Sequence, residues 1–206
     1  MNTGSDSFEE TANTLKAGGL AIYPTETFMA LGCRALHATA VQRIYAAKQR
    51  SSRLPLPLIV ADMEQLCAVA RLPAEAQPLI ERFWPGPLTL LLPVLPQVPP
   101  AVSGSTALVA VRIPGHAGAR ALAGAVGEAL VASSANISGQ PAAARLEELD
   151  RQLRQRVDAV WNGSPRAAGG LPSTLVRLAG QGRIQIARQG AVTQEALQAA
   201  GFIVQA

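Results

Sequence analysis

Neither a Gly-x-x-x-x-Gly-Lys-Ser/Thr phosphate loop nor a Gly-x-Gly-x-x-Gly fingerprint occurs in the sequence, so neither common nucleotide-binding motif announces a ligand. The two histidines, His37 and His116, stand far apart without metal-ligand spacing, so no protein metal site is expected and both read as surface or loop residues. The two cysteines, Cys33 and Cys67, are too few for a disulfide framework in a chain of 206 residues and read as core thiols of a reducing compartment. No apolar run reaches about 18 residues, and Met1 to Glu10 lacks the basic start and apolar segment of a leader. A cytoplasmic protein with no membrane partner is expected. Aromatic residues make up only 4% of the chain, and no exposed run of them interleaves with arginines as a stacking platform for single-stranded bases would require.

What is present is a hydrophobic content of 49%, enough for a substantial core, and one domain over residues 1–206 is the default. The formal charge of +4 comes with charged residues at only 16%, which suits phosphate ligands and weak electrostatic RNA binding. The densest basic stretch, Arg145 to Arg156, carries Leu146, Leu149 and Leu153 at helical spacing and reads as a solvated amphipathic helix.

Strand-like runs at Leu20 to Tyr23, Leu56 to Ala61, Leu88 to Val94, Leu108 to Ile113, Ala129 to Ala132, Thr174 to Leu178 and Ile184 to Ala187 alternate with helical patterns. The helices fall at Phe8 to Lys16, Thr39 to Lys48, Met63 to Ala70, Ala74 to Trp84, Ala117 to Val126, Leu146 to Val157 and Gln194 to Ala200. Such alternation predicts an α/β domain. Gly18 and Gly19 stop the first helix, Asp62 with Gln65 resembles a capping box, and Pro78 argues for a late start or a kink. Pro93 to Thr106, Ser133 to Ala143 and Asn162 to Ser173 read as loops.

The residues able to do chemistry cluster at strand ends, where open α/β sheets hold ligands. Tyr23-Pro24-Thr25-Glu26-Thr27 follows the first strand; a turn and helix cap would use the same residues. Val41, Ile44, Tyr45 and Lys48 share one helical stripe, so Lys48 points inward and calls for an anion, with Arg50 beside it to complete a phosphate clamp. Snorkelling of Lys48 along the core edge is the other account. Ser133-Ser134-Ala135-Asn136-Ile137-Ser138-Gly139 offers hydroxyl, amide and close backbone approach to phosphate or purine, or a cap and turn. Arg112, Ser173-Thr174 and Arg188-Gln189-Gly190 also lie at strand ends, and their arginines suit an anionic ligand spanning several strands.

In order along the chain, Gly19 to Thr27 with Leu31-Gly32, Lys48-Gln49-Arg50, Phe83-Trp84-Pro85-Gly86-Pro87-Leu88-Thr89, Val109-Ala110-Val111-Arg112-Ile113-Pro114 with His116, Ser134-Ala135-Asn136-Ile137-Ser138-Gly139, Ser173-Thr174-Leu175-Val176 and Ile186 to Gly190 form one motif set. The set resembles the threonylcarbamoyl-AMP synthase (YrdC/TsaC) family over about Gly18 to Thr193. Departures from the family pattern fall at Met29-Ala30, Ser51 and Leu54. The chain closes soon after the last motif, as in members without a further C-terminal domain.

The resemblance implies a twisted, mixed open sheet with flanking helices and a ligand cavity at the strand ends. It also implies a nucleotidyltransferase that makes L-threonylcarbamoyladenylate and pyrophosphate from L-threonine, bicarbonate and ATP, with magnesium accompanying ATP, for tRNA modification by a downstream tRNA threonylcarbamoyl-transferase complex. On that reading Lys48 and Arg50 are catalytic and hold phosphate oxygens, Ser134, Asn136 and Arg188 bind ATP, and Thr27, Arg112 and Ser173 bind threonine. The alternatives are a non-catalytic RNA-binding or translation-associated protein of the same fold, and an enzyme of that fold acting on another small amine.

Overall fold

Ser7 caps the first helix in a reciprocal box with Glu10, each side chain accepting from the other's backbone N–H. The computed structural model describes residues 6–205, so the first five residues of the polar start lie outside the described part. The elements are α1 (Phe8–Lys16), β1 (Ala21–Pro24), β2 (Met29–Gly32), α2 (Ala38–Lys48), β3 (Leu58–Ile59), α3 (Met63–Cys67), α4 (Gln77–Phe83), β4 (Leu88–Pro93), α5 (Pro100–Ser103), β5 (Leu108–Arg112), α6 (Ala117–Val126), β6 (Leu130–Val131), β7 (Ser133–Ser134), α7 (Arg151–Arg154), β8 (Ala159–Val160), β9 (Thr174–Leu178), β10 (Arg183–Arg188), α8 (Gln194–Ala199) and β11 (Ile203–Gln205).

The mixed α/β class is as expected, with the strands divided between two sheets, ordered β7-β2-β1-β8 and β11-β10-β9-β4-β5-β3-β6. Both contain parallel and antiparallel pairs. Residues 130–134 join them: β6 pairs with β3 of the larger sheet, and two residues later β7 pairs with β2 of the smaller. One apolar cluster runs through both, including Ile22 and Leu31 from the smaller sheet and Leu58, Leu90 and Val111 from the larger.

Alternation along the central strands of the larger sheet determines where the site forms. Leu88, Leu90 and Leu92 on β4, Val109 and Val111 on β5, and Thr174 and Val176 on β9 are all fully buried. The intervening Thr89, Leu91, Ala110, Arg112 and Leu175 therefore share the opposite face.

Pro78 falls in the first turn of α4, behind a 3-10 turn at Ala74–Ala76, which is the late start expected. Asp62 accepts from Gln65 N at 2.9 Å, but the Gln65 side chain turns to Ala61 N, leaving the expected box half formed. The helix expected over Leu146 to Val157 is broken: a 3-10 turn at Leu146–Glu148 ends at Leu149, and Asp150 caps the separate four-residue α7. Cys33 is buried as expected, but Cys67 is exposed. His37 and His116 are N-caps, accepting from Ala40 N at 3.1 Å and Ala119 N at 3.0 Å; His116 is buried rather than at the surface. Among the described residues no helix is long and apolar enough to cross a membrane.

Candidate functional site

The alternating face of the larger sheet forms one side of a cavity of about 440 Å³. Thr89, Leu91, Ala110, Arg112, Leu175 and Arg188 come from that sheet, and Thr25, Thr27, Phe28, Met29 and Ala30 from the turn after β1 and the start of β2. Ser133 and Ser134 of β7, Arg50 beyond α2, and Pro172-Ser173 ahead of β9 complete the polar lining.

Arg188 reaches this face through a bulge. Ile186 pairs with Val176 and Arg188 with Leu175, so Ala187 is the extra residue; in a regular strand residue 188 would keep the parity of Ile184 and Ile186 and fall on the apolar face. Its Nη2 donates to Ser173 O at 2.8 Å and to Ser173 Oγ at 3.1 Å, while Arg112 Nη1 donates to the same Oγ at 3.1 Å. With both lone pairs of the hydroxyl so engaged, its proton goes to Thr89 Oγ1, 2.8 Å away, leaving the Thr89 proton for a ligand. Burial, and then the like charge of Arg112, pull the Arg188 pKa down. Two guanidinium groups over one hydroxyl are electrostatically suited to an anion arriving between them.

Thr25 Oγ1 donates to Phe28 O at 2.7 Å and lies 3.2 Å from Thr27 Oγ1. The Thr27 proton therefore goes to Thr25, and the Thr27 oxygen keeps acceptor capacity.

The Lys-x-Arg segment takes its geometry from a helix end. Lys48 is the last residue of α2, Gln49 at the C-cap is left-handed (φ 51°), and Arg50 is thereby turned onto the cavity wall, with Nη2 donating to Pro55 O at 3.1 Å. Lys48 is inward as its stripe implies, at 1% exposure. The anion expected beside it is replaced by oxygens of β7 and the loop after it: its ammonium donates to Ser134 O, to Asn136 O at 2.8 Å and to Asn136 Oδ1 at 3.2 Å. Burial, with a smaller contribution from the nearby Arg50 charge, pushes its pKa down from 10.5 to about 8.

Asn136 is similarly occupied. Its Oδ1 accepts from Ser134 Oγ at 2.5 Å, and its Nδ2 donates to Ile137 O at 3.0 Å and to Gln140 O at 2.6 Å. Six of the eight candidate residues thus line the cavity: Thr27, Arg50, Arg112, Ser134, Ser173 and Arg188. Lys48 and Asn136 stand one layer behind, fastening the loop that presents Ser134. Among the departures, Met29 and Ala30 line the cavity, whereas the Leu54 side chain is 48% exposed and does not. Thr89 is the polar residue that sequence reasoning passed over; a threonine amid the apolar run of β4 was its signal.

A family model described as telomere recombination, and named for Sua5, YciO and YrdC, matches residues 13–190. The chain belongs to the Sua5/YciO/YrdC family. A threonylcarbamoyl-AMP synthase of Bacillus subtilis is 35% identical over 201 residues, 97% of this chain and 58% of that protein. One of Halorhodospira halophila is 42% identical over 153 residues, 74% of this chain and 80% of that protein. The crystal structure of Pyrococcus abyssi Sua5 complexed with L-threonine superposes with a TM-score of 0.87 at 33% identity, covering 96% of this chain and 58% of that one. The chain therefore spans less than two thirds of the Bacillus and Pyrococcus proteins.

Proposed function

We propose that this chain is a nucleotidyltransferase making L-threonylcarbamoyladenylate and pyrophosphate from L-threonine, bicarbonate and ATP. The observation that carries the reading is the joint hold of Arg112 and Arg188 on Ser173 in a cavity that Arg50 also lines. Such a cavity suits a small anion and a nucleotide phosphate together, and it is a concave pocket rather than an open aromatic platform for RNA. The relatives named threonylcarbamoyl-AMP synthase support the same choice.

On this reading the threonine amine takes up bicarbonate carbon, with loss of water, to give an N-carboxy compound. A carboxylate oxygen of that compound then attacks the α-phosphate of ATP, forming the new P–O bond as the bond to pyrophosphate breaks. No protein nucleophile is needed, since positioning and charge stabilisation suffice for such transfers. Arg112, with Ser173 and Thr27, receives threonine, the guanidinium taking its carboxylate. Arg50 and Arg188 hold phosphate oxygens, and the Ser134 segment bounds the nucleotide. Lys48 and Asn136 act on that segment from behind, as positioning residues.

Magnesium enters as part of the substrate MgATP. Among the described residues no cluster of three or more His, Cys, Asp or Glu could form a protein cage for it. The product belongs to tRNA threonylcarbamoyladenosine modification in the cytoplasm, handed to a tRNA threonylcarbamoyl-transferase complex, with RNA contact weak and electrostatic. The test is pyrophosphate release from MgATP: the reading requires both threonine and bicarbonate, and release independent of either contradicts it.

A further inference from the structure

Behind Arg112 lies a carboxylate that the proposed chemistry does not use. Glu26 sits in the turn after β1, and its carbonyl accepts from Ala168 N at 3.4 Å. Both carboxylate oxygens are sealed from solvent and accept no hydrogen bond. Oε1 is 3.2 Å from Arg112 Nε, yet that Nε also makes no hydrogen bond, so the contact is charge to charge at an angle an N–H···O bond does not tolerate. An unbonded, sealed carboxylate is costly unless a charge compensates it, and Arg112 is the cation it faces.

Glu26 is not among the residues lining the cavity, so it is no ligand for the substrate. Its effect has to pass through the guanidinium. That group offers two forked edges, one formed by Nε with a terminal nitrogen and one by the two terminal nitrogens. The Glu26 charge stands against Nε, and Ser173 Oγ takes one N–H from Nη1 at 3.1 Å. The terminal fork, with the Nη2 donors and the second Nη1 proton, is left for a ligand.

We propose that Glu26 is the positioning residue that fixes which edge of Arg112 meets the ligand, and so makes Arg112 a site for one planar carboxylate approaching end-on. The inference rests on the threonine reading above and adds a division of labour. Arg112, half neutralised and held in one orientation, takes the amino-acid carboxylate, while Arg50 and Arg188, which have no carboxylate partner among the described residues, serve phosphate.

The test is a double-mutant cycle on the full chain, with Glu26→Gln, Arg112→Gln and both together. Folding is checked by melting, and L-threonine and ATP affinities are measured separately by calorimetry. Glu26→Gln is expected to weaken threonine about tenfold and ATP less than twofold, within the range of coupling between residues in contact. In the Arg112→Gln background it should cost threonine nothing further, because the residue through which it acts is gone. Glu26→Asp, which keeps the charge, should retain more threonine affinity than Glu26→Gln, and it carries the same cycle if the amide variant does not fold. Equal losses for both ligands, additive losses in the double variant, or no loss overturn the inference alone. Wild-type protein that binds no L-threonine overturns the functional reading with it.

Discussion

Replacing Lys48 by Met keeps the aliphatic stem and removes the ammonium, which separates its two effects. Ser134 O and Asn136 O lose a charged donor, and Asn136 Oδ1 keeps only the Ser134 hydroxyl. Ser134 O keeps the Asn136 N–H at 2.9 Å, so only Asn136 O is left without a donor, which costs about 1–3 kcal/mol. Against this, burial holds the Lys48 pKa near 8 instead of 10.5. At about 1.4 kcal/mol per pH unit, removing the charge returns about 3 kcal/mol. The second offsets the first, so the melting temperature should not fall. Turnover should not survive as well: without the ammonium the Ser134 segment relaxes, and a misplacement of about 1 Å costs on the order of a hundredfold in rate. Melting and pyrophosphate release at saturating MgATP read the two quantities. Folded Lys48→Met with wild-type turnover refutes the role. The pH linkage gives a second check. Because the folded pKa is depressed, the unfolded chain binds more protons between about 8 and 10.5. The Lys48 contribution to stability is thus fully present above 10.5 and lost as pH falls through 8. The stability of the wild type relative to Lys48→Met should rise across that window, and a flat difference contradicts the assignment.

Arg112→Lys should weaken threonine binding at least tenfold by calorimetry while ATP affinity changes less than twofold, because a point charge does not replace a planar fork; equal losses for both ligands count against the carboxylate role. A Cβ at Gly190 would lie 2.2 Å from Pro172 O and 2.6 Å from both Ser173 C and Thr174 N. Gly190→Ala should therefore push the Ser173 segment aside, costing about 1–3 kcal/mol in stability and reducing threonine affinity, and unchanged melting and binding would show that the close approach does not matter. Pyrophosphate release should be indifferent to added tRNA, and any RNA binding should weaken steeply with rising salt; strict dependence on tRNA favours the RNA-binding alternative.

The elements legible in the sequence were those with a clean local signal. α1, α6 and β9 keep the expected bounds because a capping box, a left-handed glycine stop at Gly127 and a β-rich run bounded by turns mark them. β2 was missed because all four of its residues are buried, so it has no alternation, and Gly32 is there for close approach: a Cβ would lie 2.2 Å from Val131 O. β7 consists of two serines in a stretch that reads as loop, and β8 of two residues. These are strands through tertiary pairing rather than propensity. Lys48 shows the same limit within the site. Its inward direction followed from the stripe on α2, but its partners came from β7 and the loop after it, 86 and 88 residues away, where no periodicity could point. The bulge that turns Arg188 to the cavity is likewise a matter of pairing.

The central claim is that the cavity joins threonine, bicarbonate carbon and adenylate into one product. Purified protein incubated with L-threonine, carbon-13-labelled bicarbonate and MgATP, without tRNA, should yield by mass spectrometry a threonylcarbamoyladenylate carrying the label, matched by pyrophosphate. Protein that binds threonine and ATP but forms no labelled adenylate contradicts the account.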